Sequence, residues 1–139
     1  MTDFRNIMVP VDLQHAEHME KALSAAAALS QQFGATVTLV GVTSPQPSAI
    51  AHNLEEFSQK LTKFAGEWSE KTGVTMQAET VDSPDPVRDL DDALAGAVKR
   101  LGADLVVMAS HVPTFTDHLL ASNAGALLSH TDASLFIVR

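Results

Sequence analysis

The sequence predicts a doubly wound α/β fold, with residues 1–139 forming one domain. Three observations predict it. Five short β-like runs alternate with helical stretches in the order β-α-β-α-β-α-β-α-β. Four of the runs are near-continuous in Val, Ile, Leu and Met, the composition of strands covered on both faces of a parallel sheet. Three of the intervening stretches carry apolar residues at spacings of three and four, and each is closed by a glycine.

The first strand is "NIMVPVD", Asn6 to Asp12. Ala16 to Phe33 follows as a helix, with Met19, Ala22, Leu23, Ala26, Leu29 and Phe33 on one face and Gly34 as its stop. "TVTLVGV", Thr36 to Val42, is the second strand, and Thr43 to Asn53 is a Pro- and Ser-containing surface loop. The second helix runs from about 52 to 72 on Leu54, Phe57, Leu61, Phe64, Ala65 and Trp68, with Asn53 as its cap and Gly73 as its stop. "MQAETVD", Met76 to Asp82, alternates polar and apolar residues, so one face of this third strand should be less covered. Asp82 and Asp85 read as turn and cap residues. Asp85 as cap and Pro86 at the first helical position would start the third helix. Its stripe is Leu90, Leu94, Ala97, Val98 and Leu101, ended by Gly102. "DLVVMAS", Asp104 to Ser110, is the fourth strand. A less regular helix runs from near Thr116 to His130, and "SLFIVR", Ser134 to Arg139, closes the chain.

Composition removes several functions. No apolar run approaches the ~20 residues that span a bilayer, so membrane insertion is not expected. The N-terminus lacks the basic and apolar regions of a signal peptide, which implies a cytoplasmic protein. The absence of cysteine rules out disulfides and thiol chemistry. A net charge of −8 with scattered basic residues argues against nucleic-acid binding. There is no G-x-S-x-G, Walker loop or His-Glu zinc motif. Ser110-His111 is only a dipeptide, and neighbours on an extended chain point apart. His15 and His18 could share a helical face, but they sit among Glu17 and Glu20 at a solvated helix start, which is a poor metal site.

Ligands of doubly wound folds bind beyond the carboxyl ends of the strands, where strand order reverses. That places a site among Val9 to Leu13, Gly41 to Ser44, Asp82 to Asp85 and the stretch "ASHVPTFTDHLLASNAG" from Ala109 to Gly125.

"NIMVPVD", "GADLVVMASH" and "ASLFIVR" resemble the universal stress protein family across the whole chain. The resemblance implies a three-layer sandwich around a five-stranded parallel sheet, of the adenine nucleotide α-hydrolase-like type. It also implies a homodimer paired through the last strand, with a tetramer as a further possibility. Many members bind ATP or another adenine nucleotide, ATP with Mg2+. Their loop after the fourth strand reads glycine, two residues, glycine, nine residues, glycine, then Ser, Thr or Asn. Here Ala109, Val112 and Ser122 stand at the glycine positions, and Asn123 keeps the polar one. By resemblance Asp12 goes to the adenosine end of the pocket, together with Pro10 and Val11. Val42 goes to the adenine wall. Met108, Ala109, Ser110, His111 and Val112 line the loop, with Ser122, Asn123 and Ala124 beyond it. "ASHVP…SNAG" is also similar to a subset associated with TRAP-type transporters, which implies a transporter partner.

The substitutions are unequal. Alanine for glycine adds one methyl. Val112 disfavours positive φ, and Pro113 pushes it toward extended geometry and lacks an N–H. Ser122 and Asn123 can open a helical turn whose N–H groups attract an anion. The expected function is a regulatory or sensor module that binds an adenine nucleotide and has at most slow hydrolytic activity. The competing expectation is an interaction dimer of the same fold without nucleotide. Bland roles also exist for the polar residues: Asp12 and the Ser122–Asn123 pair as caps, and His111 as a surface side chain.

Overall fold

The computed structural model describes residues 3–44, 51–85, 89–109, 125, 127 and 129–139. Five strands, β1 (Asn6–Pro10), β2 (Thr36–Thr43), β3 (Met76–Asp82), β4 (Leu105–Ala109) and β5 (Ser134–Val138), form one parallel sheet in the order β3-β2-β1-β4-β5. The helices are α1 (Glu20–Phe33), α2 (Leu54–Thr72) and α3 (Leu90–Leu101), and Gly125, Leu127, Ser129 and His130 are also helical. The doubly wound fold expected from the sequence is what forms.

Side chains alternate across the strands, so each face builds its own core. Ile7, Val9, Leu39 and Val107 pack with Leu23, Ala26, Phe57 and Leu61 under α1 and α2. Met8, Val40, Val106 and Met108 pack with Leu90, Leu94, Val98 and Leu127 on the opposite face. The result is three layers. β1 sits at the centre, with Ile7, Met8 and Val9 at most 1% exposed.

The predicted helix stops hold: Gly34, Gly73 and Gly102 end α1, α2 and α3 in left-handed geometry, at φ 67°, 74° and 65°. Asn53 caps α2, with its side chain accepting from the Glu56 N–H at 2.8 Å. The Glu56 carboxylate in turn accepts from the His52 N–H at 3.3 Å. That bond holds the Glu56 carboxyl below its ordinary pKa, against the opposing effect of desolvation and with lesser help from Lys60. A lowered folded pKa contributes stability above the ordinary carboxylate range, and this is lost as pH falls through it.

Two expectations are corrected. The first helix does not begin at Ala16. Leu13–Met19 is a 3-10 segment, because the Asp12 carbonyl accepts from the His15 N–H at 3.0 Å and closes a tighter turn. Of the third helix the structure describes Leu90–Leu101. The Asp89 N–H donates to the Asp85 carbonyl at 2.9 Å, the first intrahelical bond that an Asp85 cap would accept, and Pro86 lies outside the described residues. β5 is a sheet edge, as a last strand left to pair with a partner requires, but its apolar composition reads as cover on both faces, and Phe136 and Ile137 are instead 44% and 45% exposed. β3 is the other edge and is only partly covered, as its alternation predicts.

Gly41 lets α2 rest on the sheet. A Cβ there would stand 2.7 and 2.8 Å from the Phe57 ring and 3.2 Å from Leu61, closer than carbon atoms pack. Gly41→Ala should therefore destabilise the fold by about 1–3 kcal/mol through overpacking, measured by urea denaturation. Adding Phe57→Leu should recover part of that loss. A loss unchanged in the double variant would mean that the ring is not what Gly41 accommodates.

Candidate functional site

The sheet order locates the reversal point. The chain builds outward from β1 through β2 to β3 on one side, then crosses to β4 on the other. The crevice between the carboxyl ends of β1 and β4 is where such folds take ligands.

The sequence opens this crevice with a proline. In a strand, successive N–H groups point to opposite neighbours. The Val11 N–H donates to the Val40 carbonyl at 2.9 Å, toward β2. Position 10 therefore faces β4, where Pro10 has no N–H to give. Proline is rare in a central strand for that reason. The β1–β4 register pairs Ile7 with Leu105 and Met8 with Val106, in the amino half of β1. At the amino end the strands are sewn together instead. The Asp104 carboxylate accepts from the Arg5 N–H at 2.9 and 3.2 Å and from the Asn6 N–H at 3.1 Å.

Asp12 follows directly. Its side chain is only 10% exposed. Oδ1 accepts from the Gln14 N–H at 3.0 Å, and Oδ2 lies 3.1 Å from His15 Nδ1. The cap role weighed in the sequence is thus present. It leaves acceptor capacity on the carboxylate, since two oxygens offer about four lone-pair sites. The His15 partnership was not legible: the Asp-x-x-His spacing was its only signal, and His15 read more naturally as a neighbour of His18. Those two rings stand 6.1 Å apart. Among the described residues no cluster of three or more His, Asp or Glu side chains could hold a metal.

Around the crevice the structure brings together part of the expected set. Pro10 and Val11 are buried at the end of β1. Met108 is buried on the α3 face and Ala109 half-buried on the α1 face at the end of β4. Val42 is partly buried on the α3 face of β2, paired with Val81. Ser110, His111, Val112, Ser122, Asn123 and Ala124 lie outside the described residues.

A groove of about 610 Å³ lies elsewhere, at the amino ends of β4 and β5, between Lys99, Gly102 and Asp104 on one wall and His130 and Asp132 on the other. The carboxyl ends of α3 and of the helical residues ending at His130 meet there. Helix carboxyl ends repel anions, so this groove is the wrong place for a phosphate.

Residues 3–139 match the universal stress protein family. The chain belongs to that family. It is similar to universal stress protein G of Salmonella typhimurium, 29% identical over 145 residues that cover 98% of this chain and 99% of that protein. Among solved structures it is similar to a universal stress protein in complex with cAMP, at TM-score 0.69 and 16% identity, with 99% of each chain covered. It is also similar to the universal stress protein from Archaeoglobus fulgidus in complex with dAMP, at TM-score 0.68 and 16% identity, covering 99% of this chain and 100% of that one. At these identities the likeness to the solved structures is a likeness of fold. The geometry at Asp12 in this universal stress protein domain makes a local prediction. Asp12→Ala should cost about 1 kcal/mol by loss of the cap, while Asp12→Asn should cost only a few tenths because Asn also caps. Thermal denaturation of both variants checks this, and equal losses would contradict the capping geometry.

Proposed function

We propose that this universal stress protein domain is a single-domain cytoplasmic regulatory or sensor module that binds an adenine nucleotide, ATP with Mg2+ in its full form. The observation that carries this reading is the largely buried Asp12 carboxylate at the mouth of the β1–β4 crevice. The family relatives solved with cAMP and dAMP support the adenine class. In this reading the adenine lies against Val42 and the end of β1, and Asp12 accepts from the nucleoside. The phosphates run along Ser110 to Val112 and against Ser122 and Asn123. Binding changes the packing of subunits and is not followed by fast turnover. A transporter is the partner class suggested by "ASHVP…SNAG".

The test is direct. Denaturing the purified protein should release an adenine nucleotide detectable by chromatography, and added ATP should raise the melting temperature. Asn123→Ala should reduce ATP affinity by roughly 1–3 kcal/mol through lost phosphate hydrogen bonds. Finding no nucleotide and no melting shift would reject the reading.

A second reading has its own support: the exposed Phe136 and Ile137 on the edge strand β5. Unpaired strand edges with apolar side chains invite pairing with another strand. We infer a homodimer formed through β5, whether or not nucleotide is held, with a tetramer as its further assembly. Ile137→Asp should convert the dimer to monomer in sedimentation measurements. A monomeric parent chain would remove this reading.

A further inference from the structure

We propose that His15 is a positioning residue, holding the Asp12 carboxylate so that it accepts from a sugar hydroxyl of the bound nucleotide; this rests on the adenine-nucleotide reading above. Asp12 and His15 are tied twice. The His15 N–H donates to the Asp12 carbonyl at 3.0 Å, and ring Nδ1 stands 3.1 Å from Oδ2. An ionised carboxylate only accepts, so the proton of this bond is on Nδ1. Within Leu13–Met19 it is His15 that leaves helical geometry, at φ −128° and ψ 50°, and its ring meets Asp12 there.

Two tethers do what one cannot. The terminal torsion of an aspartate is broad, so a single bond from Gln14 to Oδ1 leaves the carboxylate free to pivot about that oxygen. The bond from His15 to the other oxygen stops the pivot. One lone-pair site on each oxygen is then used, and one on each remains for a donor. The pair is largely withdrawn from water, with Asp12 10% and His15 24% exposed, which strengthens the bond relative to a surface contact. A donor that meets this pre-set carboxylate at the crevice need not order it first, which favours binding.

The experiment uses the full chain with AMP and with 2′,3′-dideoxy-AMP as probes, measured by calorimetry. His15→Ala should weaken AMP binding about tenfold, the effect of one lost orienting hydrogen bond, and leave dideoxy-AMP binding nearly unchanged. His15→Asn, whose amide N–H can replace Nδ1–H, should restore AMP binding. Imidazole 15N shifts of the parent chain should show the proton on Nδ1 and should move when AMP is added. If the parent chain binds no AMP, both the adenine-nucleotide reading and this inference fall. If the parent binds AMP and His15→Ala binds equally well, only the inference falls. Equal weakening by His15→Ala and His15→Asn, or equal weakening for both probes, assigns His15 a packing role and likewise overturns it.

Discussion

The central strand β1 must satisfy its backbone on both edges while both of its faces are buried, and the rest of the molecule is arranged around that demand. A buried strand with two parallel neighbours needs β2 on one side and β4 on the other. Parallel neighbours need crossovers, so helices must cover both faces. The two ends of β1 are then treated differently. At the amino end Asp104 accepts from the first N–H groups of the strand and pulls β4 against it. At the carboxyl end Pro10 removes a donor on the β4 side. One end is closed by hydrogen bonds and the other is left open. The opening is a consequence of residue chemistry at position 10 as much as of topology.

In the proposed function Asp12 carries two demands that do not conflict. A short 3-10 turn needs an acceptor for its first N–H groups, and a crevice between strands needs a polar group that can read a ligand. A carboxylate has enough acceptor capacity for both, provided its orientation is held. The turn supplies that orientation through Gln14 and His15. The structural role of Asp12 is thus compatible with the ligand role proposed for it.

Much of the fold was legible because it rests on local signals. Val/Ile runs marked β1, β2 and β4, and glycines after apolar stripes marked where α1, α2 and α3 stop. The alternation of Met76 to Asp82 foretold a strand with one face less covered. What escaped had non-local causes. The edge position of β5 suits a terminal apolar strand, but its exposed faces do not follow from its composition, because face coverage depends on what packs over the strand. The start of the first helix was also misjudged. Ala16 fits the periodicity of α1, and only the closure of the turn from Asp12 to His15 decides that the helix begins at Glu20. Of the candidate site, Asp12 was legible from fold logic at the end of β1. Its partner was not, because helical spacing paired His15 with His18, and the bond to Asp12 depends on the φ and ψ of a single residue.

The missing glycines take a different weight once the crevice is seen in two halves. Glycine in a phosphate loop allows positive φ and close backbone approach, and both concern the anion. Neither concerns the base or the sugar. In the proposed site Val112 and Pro113 stand in the phosphate half, while Pro10, Val11, Val42 and Met108 are placed by the packed sheet and Asp12 by the turn to His15. Side chains fixed by a packed sheet keep their geometry when a neighbouring loop changes sequence. In the proposed function, loss of the glycines therefore bears on how many phosphates would be held and how tightly. It leaves the nucleoside end of the proposed site intact, so the substituted loop is weaker evidence against a nucleotide than its sequence suggests.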